Sequence, residues 1–194
     1  MTCIIGLEQE GRVYIGADRF AGHAWLKTVT PLSKVIENGR FLIGYAGSFR
    51  AGQIAEHSLH VPLQEEDVSD LEYLTTTFVG YLRSALRHAG NLEKKDEVEQ
   101  GLGNFLLAYK NHLYNVDENF AVLPEAMSAI GSGFLVAYGA MEALSGMEPE
   151  SRLRRALEIT AQYSPYVIGP FVVKMQGTEV LPSDSEVKTE GNEA

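Results

Sequence analysis

Three residues near the start of the chain carry groups that together could activate a hydroxyl: Thr2, Asp18 and Lys34. A threonine hydroxyl is a weak nucleophile unless a base lies beside it or its pKa is lowered. A lysine ammonium lowers the pKa of nearby groups, and a carboxylate can anchor that ammonium. Each residue also has an ordinary explanation, since a strand-end Asp is usually a turn or cap residue and a Lys before an apolar strand is usually solvated. Their use in one site therefore depends on the elements that position them.

The first 47 residues predict four strands, arranged as two hairpins of an antiparallel sheet. The runs "TCIIGLEQ" and "RVYIGAD" flank the turn signal Glu10-Gly11. The runs "KVIE" and "RFLIGYA" flank Asn38-Gly39. Asn-Gly between two apolar runs is the strongest short-range hairpin signal.

Each of the three chemical groups lies at the end of a predicted strand. Thr2 begins the first strand, Asp18 ends the second in "GADR", and Lys34 begins the third in "SK". Residues at the ends of adjacent antiparallel strands can meet at one edge of a sheet. We therefore predict that the three side chains converge at one sheet edge, with Lys34 Nζ within about 4 Å of an Asp18 oxygen.

Helical signals follow the two hairpins. Ser48 can cap a short helix through about Leu59, and Ser69 with Glu72 forms a capping box at the start of a longer helix. Gly90 marks the end of that longer helix. Its predicted buried face consists of Leu71, Leu74, Phe78, Leu82 and Ala85, which are spaced by three and four residues.

The rest of the chain predicts strands, two more helices and a final strand. Three strands lie in "GNFLLAYKNHLYNVDENFAVL", a fourth meets Gly-Ser-Gly and a helix in "SAIGSGFLVAYGAMEAL", and Pro149 opens a further helix. The last strand is "YVIGPFVVKMQ". This order predicts a layered α+β domain with helices packed outside two sheets. We assign residues 1–181 to this single domain and predict that the acidic residues 182–194 are a disordered tail.

Composition and charge argue against several classes of protein. With 194 residues, 45% of them hydrophobic, the chain can bury a core of its own. A net charge of −10 disfavours nucleic-acid partners, because phosphates would be repelled. Cys3 is the only cysteine and the five histidines lack ligand spacing, so we predict no disulfide, metal or cofactor. We find no apolar run near the ~20 residues of a membrane span and no secretory leader, and expect a cytoplasmic protein.

The chain resembles the proteasome β-type subunits and the HslV-type peptidases, which are N-terminal-nucleophile threonine hydrolases. The likeness lies in "TCIIGL…GRVYIGADRF", in "SKVI…RFLIGYAGS" and in "AIGSGFLVAYGAMEAL", and it covers about residues 2–175. In that family the mature chain begins with Thr, an Asp follows sixteen positions later and a Lys thirty-two positions later. Thr2, Asp18 and Lys34 match both spacings, whereas Cys3 matches neither. The resemblance implies a four-layer αββα sandwich of the N-terminal-nucleophile type.

The resemblance also implies a mechanism that begins with the removal of Met1. Cells usually remove an initiator Met before a small residue such as Thr, and Thr2 would then carry a free α-amine without the need for a propeptide. That amine has a pKa of about 7.7–8.0, against about 10.4 for lysine, so it is the base better matched to neutral pH. Lys34 would lower the pKa of the amine and hydroxyl of Thr2, and Asp18 would anchor Lys34.

Two further parts of the site are implied by the family's glycine loops. The oxyanion donor comes from the loop that ends the fourth strand, here "YAGS", and is assigned to Gly47 with Ser48 as the alternative. Ser132, in the Gly-Ser-Gly, matches the family's serine near the amine.

Two segments depart from the family's pattern. Many members carry an Asp after the last long helix, where this chain reads "TAQYSPY", with Gln162, Tyr163 or Ser164 in its place. The segment "FAGHAW" has Ala21 and Gly22 where substrate-backbone contacts are expected, followed by a Trp.

These features favour a threonine endopeptidase that cleaves unfolded polypeptide. Family members form stacked homo-oligomeric rings, usually served by an ATP-driven unfoldase, and we expect the helices around 48–59 and 71–88 to supply the subunit contacts. Three alternatives remain: a small-molecule amidase of the same superfamily, a noncatalytic scaffold subunit, and a generic α+β binding module. The scaffold is favoured by the missing acid, while the binding module does not explain the two matched spacings.

Overall fold

The computed structural model describes residues 2–22, 26–95 and 97–176. The predicted tail, Met1 and Trp25 lie outside these residues. The strands are β1 Ile4–Gln9, β2 Arg12–Ala17, β3 Val35–Asn38, β4 Phe41–Gly47, β5 Leu92–Lys95, β6 Val98–Gly101, β7 Gly103–Tyr109, β8 His112–Val116, β9 Val122–Pro124, β10 Met127–Ile130 and β11 Val172–Met175. The helices are α1 Phe49–His57, α2 Asp70–Tyr73, a π-helical turn Leu74–Phe78, α3 Val79–His88, α4 Phe134–Ala143 and α5 Pro149–Tyr163.

Both predicted hairpins form, but the prediction that they share one sheet is wrong. The β1–β2 hairpin lies in a four-stranded antiparallel sheet of order β10-β1-β2-β11. The β3–β4 hairpin lies in a five-stranded antiparallel sheet of order β3-β4-β7-β8-β9. Both hairpins have apolar residues on their two faces, and each is covered by the other sheet on one face and by helices on the other.

The two hairpin turns follow their sequence signals closely. Gln9 pairs with Arg12, and Glu10 and Gly11 both have positive φ, as a two-residue type I′ turn requires. In the second hairpin Asn38 pairs with Phe41, so the turn is Gly39–Arg40, one residue later than predicted.

The sheets face each other across a shared apolar cluster, and helices pack against their other faces. Alternate residues of β1 show this: Ile4 joins the cluster between the sheets, and Ile5 joins the cluster made with α4 and α5. In β4, Leu42 belongs to the cluster between the sheets and Ile43 to the cluster made with α1, α2 and α3. A period of two along each strand thus directs side chains alternately to the two faces. The chain is a mixed α+β structure.

The helical segment after Ser69 differs from its predicted face. Ser69 caps α2 by accepting the N–H of Glu72 at 3.3 Å, as predicted. Leu71, however, is exposed and Ala85 only partly buried, because the π-helical turn shifts the buried face. The buried residues of this segment are Tyr73, Leu74, Phe78, Leu82 and Leu86.

The two-stranded ribbon β5–β6 was not predicted from the sequence. Its segment is rich in charged residues and lacks the apolar alternation that indicates a strand. Ion pairs attach it to α3, since Glu99 lies 2.9 Å from Arg83 and 2.5 Å from Arg87. Among the described residues, no helix is both long and apolar enough to cross a membrane.

The close approach of the sheets predicts that Gly44 in β4 cannot take a side chain. A Cβ at Gly44 would lie 2.5 Å from Cγ2 of Ile4 and 2.8 Å from Cγ2 of Ile15. We expect Gly44→Ala to lower the free energy of unfolding by about 1–3 kcal/mol, measured by urea denaturation, because overpacking a buried interface is destabilising.

Gly139→Ala is the matched control for this variant. Gly139 lies inside α4, and a Cβ there would meet nothing within 4 Å. Alanine should therefore raise the stability by about 0.5–1 kcal/mol through its higher helix propensity. Equal effects of the two substitutions would contradict the described approach of the sheets.

Candidate active site

Thr2, Asp18 and Lys34 come together between the two sheets rather than at the edge of one sheet. Thr2 precedes β1 and Asp18 follows β2, so both lie at one end of the four-stranded sheet. Lys34 precedes β3 in the five-stranded sheet. The predicted single sheet edge is wrong, because the two hairpins belong to facing sheets and the three groups meet across the gap between them.

The three side chains form one hydrogen-bonded group. Lys34 Nζ lies 2.9 Å from Asp18 Oδ1 and donates to Thr2 Oγ1 at 2.5 Å. The Thr2 hydroxyl donates in turn to Asp18 Oδ1. All three residues are buried, with exposed fractions of 3% for Thr2, 0% for Asp18 and 2% for Lys34. A hydroxyl, a carboxylate and an ammonium thus share one small buried volume.

Backbone N–H groups orient the Asp18 carboxylate. Its Oδ1 accepts the N–H of Cys3 at 3.0 Å, and its Oδ2 accepts the N–H of Phe20 at 2.8 Å. The N–H of Asp18 donates to the carbonyl of Cys3 at 3.2 Å. These bonds leave the carboxylate little freedom to turn away from Lys34.

The Gly-Ser-Gly loop contacts the backbone of Thr2. The N–H of Thr2 donates to Ser132 Oγ at 3.2 Å, and the Ser132 hydroxyl donates to the Thr2 carbonyl at 3.2 Å. The N–H of Gly133 donates to the same carbonyl at 3.3 Å. Gly131 has φ +88°, and a Cβ there would lie 2.5 Å from the Thr2 carbonyl oxygen, so only glycine fits.

The turn at the end of β4 places Gly47 and Ser48 differently. Gly47 has φ +101° and lines the same cavity as Thr2 and Ser132. Ser48 uses its own N–H, which donates to the carbonyl of Leu102 at 2.9 Å, and its Oγ accepts the N–H of Ala51 at 3.3 Å. The backbone donor of Ser48 is therefore already engaged.

A cavity of about 450 Å³ opens beside Thr2 and contains two acids that sequence reasoning missed. Glu93 of the β5–β6 ribbon and Glu118 of the turn after β8 line it, together with Gly47, Gly131 and Ser132. Two carboxylates on its wall make it unfavourable to anionic groups. The ribbon itself gave no strand signal, so the sequence alone could not place Glu93 here.

Burial shapes the protonation of the groups around Thr2. It lowers the pKa of Lys34 below its ordinary value, while the nearby Asp18 carboxylate acts in the opposite direction. Burial also raises the pKa of the Cys3 thiol, with the Asp18 charge adding to that effect. Cys3 is thus an unreactive thiol in the core.

Several sequence candidates lie away from this group. Gln162 and Tyr163 are exposed at the end of α5, and the N–H of Ser164 donates to the carbonyl of Thr160 at 2.9 Å. None of these three residues is an acid, so this stretch supplies no carboxylate to Thr2. Ala21 donates its N–H to the carbonyl of Thr28 at 2.9 Å, and a Cβ on Gly22 would clash with the carbonyl oxygen of Leu26. Across the described part of the chain, no three His, Cys, Asp or Glu side chains are placed to hold a metal ion.

Comparison with known proteins gives a clear structural likeness. No family model matches the chain, and no curated protein matches it. Thiobacillus denitrificans BPH in complex with epoxomicin superimposes with a TM-score of 0.74 at 19% identity, over 93% of this chain and 100% of that one. Another structure of that BPH gives 0.71 at 20% identity, over 89% and 96%. Eukaryotic HslV from Trypanosoma brucei gives 0.62 at 19% identity, over 89% and 98%.

The chain has the fold of the proteasome-type peptidases. The resemblance stated from the sequence is therefore confirmed at the level of the fold. A proteasome-type fold at this identity leaves the activity to be argued from the residues of the site.

The lowered pKa of Lys34 predicts how the stability of this proteasome-type fold depends on pH. Between that lowered pKa and the ordinary value of 10.5, the unfolded chain holds a proton on this lysine that the folded chain has released. The contribution of Lys34 to the free energy of unfolding therefore rises with pH through this window. We expect the difference in unfolding free energy between the wild type and Lys34→Met, measured in urea, to shift in favour of the wild type from neutral pH to pH 10.5.

The comparison with Lys34→Met is necessary because other groups titrate in the same range. Burial raises the pKa values of Cys3 and Tyr45, the latter to about 12, and their contributions to stability fall as the pH rises. Both proteins contain these groups, so the difference between them isolates Lys34. If the unfolding free energy of the wild type instead fell relative to that of Lys34→Met as the pH rises, the lowered pKa of Lys34 would be contradicted.

Proposed function

We propose that the chain is a threonine-type endopeptidase of the N-terminal-nucleophile class, built on a four-layer αββα sandwich, that cleaves unfolded polypeptide. The observation that carries this proposal is the Thr2 hydroxyl held between Lys34 and Asp18. The four-layer arrangement is supported by the alternation of β1 and β4 between the inter-sheet cluster and the helix-facing clusters. A single buried cysteine is in keeping with a reducing compartment such as the cytoplasm.

In this proposal the working nucleophile appears only after Met1 has been removed. With Met1 attached, the nitrogen of Thr2 is an amide, which cannot accept a proton near neutral pH. A free α-amine has a pKa near 8 and would stand beside Ser132 Oγ, which the Thr2 nitrogen meets at 3.2 Å. The amine would then take the proton that the Thr2 hydroxyl now donates to Asp18. Lys34 would stabilise the developing alkoxide through its charge.

The reaction would proceed through an ester on Thr2. Thr2 Oγ attacks the peptide carbonyl carbon, and its proton passes to the α-amine. The tetrahedral intermediate then expels the substrate amine, which takes that proton and leaves an acyl-enzyme. Water, deprotonated by the same amine, attacks the ester and restores the Thr2 hydroxyl.

The oxyanion of the tetrahedral intermediate would be held by the backbone N–H of Gly47. Amide directions alternate along a strand, so the N–H of Gly47 points to the same side of β4 as that of Tyr45, which donates to the Lys34 carbonyl at 3.0 Å. The N–H of Ser48 points to the other side, toward Leu102. We therefore assign the donor to Gly47 and no longer to Ser48.

A noncatalytic scaffold subunit is the second candidate, and one observation favours it. Residues 162–164 contain no carboxylate, so the Thr2 amine lacks the acidic partner that many family members have. A peptidase needs Thr2 for cleavage, whereas a scaffold subunit cleaves no peptide with or without Thr2. A small-molecule amidase would share that dependence but would need neither a ring nor a polypeptide substrate.

Removal of the Thr2 hydroxyl should abolish peptide cleavage while the fold remains intact. We expect Thr2→Ala to show no cleavage of a fluorogenic peptide, and protein that retains Met1 to be slower by about 10²–10⁴-fold, because a positioned base is lost. Intact mass measured beside the assay reports the state of the N-terminus. Epoxomicin, which the Thiobacillus BPH structure contains, should bind the processed wild type and not Thr2→Ala.

Ser151→Ala in α5 is the matched control, since it removes an exposed hydroxyl far from the cavity along the chain. Its cleavage rate should equal that of the wild type. Cleavage that persists in Thr2→Ala would end the proposal. Processed protein with an intact fold but no cleavage, with or without an unfoldase, would instead support the scaffold subunit.

We also propose a homo-oligomeric ring, in which an ATP-driven unfoldase would deliver the polypeptide. Exposed apolar side chains on α3 and α4, such as Tyr81 and Leu135, support an interface between copies. Light scattering should show a mass well above the 21.3 kDa of one chain. Tyr81→Glu should reduce that mass by placing a charge on a predicted contact helix.

Met175→Glu on β11 is the control for the ring, because Met175 and Tyr81 are 45% and 47% exposed. It should leave the assembly unchanged. A monomer at all concentrations in the wild type would count against a ring protease.

A further inference from the structure

Asn91 connects the end of α3 to the turn that carries Gly47. It follows Gly90, and its N–H donates to the carbonyl of Leu86 at 2.9 Å, which completes the end of the helix. Its side-chain Nδ2 donates to Ser48 Oγ at 3.2 Å. Only 6% of Asn91 is exposed. The Asn91 side chain therefore links the C-terminal end of α3 to Ser48, the N-cap residue of α1.

Ser48 is the point at which this contact can act on the proposed active site. It is the N-cap of α1 through the bond from Ala51, and its N–H is held by the carbonyl of Leu102. Asn91 adds a further bond to the Ser48 side chain, from the side of α3. Ser48 is covalently attached to Gly47, so the position of Ser48 determines where the Gly47 turn lies.

The Gly47 turn has little space on its other side. A Cβ on Gly47 would lie 2.6 Å from the carbonyl oxygen of Leu102 and 2.9 Å from Cα of Gly103. The turn is thus confined between β7 and the hydrogen bonds of Ser48. An oxyanion donor must lie about 3 Å from the developing charge, so a small movement of this turn would weaken the bond that it makes.

We infer that Asn91 is a positioning residue for the oxyanion donor: its bond to Ser48 Oγ holds the Gly47 N–H in place for the tetrahedral intermediate. The inference rests on the proposed peptidase function and adds to it a residue outside the cavity. Asn91 does not line the cavity beside Thr2, and its side-chain hydrogen bond goes to Ser48, so it would act through Ser48.

A second observation sets Asn91 apart from a residue kept for stability. Its Oδ1 is buried and has no hydrogen-bond partner among the described residues. A buried carbonyl oxygen without a donor destabilises the folded state, and an apolar side chain of the same size would avoid that penalty. Stability alone would thus favour leucine at this position, whereas the Ser48 bond requires the amide. Activity and stability should respond in opposite directions.

The test is Asn91→Leu in the processed, assembled protein. We expect its urea-unfolding stability to be equal to or above that of the wild type. We expect kcat for a fluorogenic peptide to fall about 10-fold with KM nearly unchanged, since the lost interaction is made mainly in the transition state. Amide hydrogen exchange in residues 46–51 should become faster. Ser48→Ala removes this bond together with the N-cap bond from Ala51, so it should lower kcat at least as much, and the double variant should be no slower than Ser48→Ala alone.

Asn38→Leu is the matched control. Asn38 also uses Nδ2 to hold α1, but at its far end, donating to the carbonyls of Ala55 at 2.7 Å and Leu59 at 2.8 Å. Its loss should lower stability and leave kcat unchanged.

The outcomes separate this inference from the proposed function. An active wild type with an equally active Asn91→Leu would overturn the role of Asn91 alone. The role of Asn91 would also be overturned if Asn38→Leu lost kcat to the same extent, or if hydrogen exchange in residues 46–51 were unchanged in Asn91→Leu. A processed wild type without any cleavage would overturn the proposed function and this role with it. If Asn91→Leu does not fold, Asn91→Ala, which removes the same bond and leaves the Ser48 cap in place, decides by kcat and hydrogen exchange.

Discussion

The buried ion pair between Lys34 and Asp18 is the contact on which the rest of the site depends. The two atoms are 2.9 Å apart and both side chains are buried, where a lone charge would be strongly unfavourable. Such a pair is tolerated only when its remaining polar atoms are bonded, and here the N–H groups of Cys3 and Phe20 fill the carboxylate's other positions. The hydroxyl of Thr2 completes the group. The carboxylate and the ammonium thus compensate each other's burial, and the Thr2 hydroxyl bonds to both.

This contact also constrains the fold, because its partners come from different sheets. Asp18 is delivered by the β1–β2 hairpin and Lys34 by the β3–β4 hairpin. The apolar cluster between the sheets brings them close, and glycine makes that closeness possible. Gly44 leaves room for Ile4 and Ile15, and a Cβ on Gly6 would lie 2.8 Å from Leu113. Apolar packing therefore sets the separation of the sheets, while the ion pair requires one relative register.

Around this pair the backbone supplies the remaining polar groups. Gly131 approaches the Thr2 carbonyl from the loop before α4, and Gly47 lines the other side of the cavity from the turn before α1. Both have positive φ, and both contact backbone where a Cβ would not fit. The first loop is held by the hydrogen bonds between its own Ser132 and Thr2, and the second by the contact of Asn91 with Ser48.

The sequence by itself determined the local elements and the spacing of the reactive residues. Turn residues such as Gly11, the cap at Ser69 and Pro149 at the start of α5 act over a few residues, so their signals can be read without knowledge of the fold. The match of Thr2, Asp18 and Lys34 to a known spacing identified the group before its geometry was known. Only the tertiary structure decided that the two hairpins lie in different sheets, that a charged ribbon brings Glu93 to the cavity, and that Ser48 has no free N–H. Those outcomes depend on burial and hydrogen bonds between segments far apart in the chain, such as β1 with β10, and local backbone preference carries no information about them.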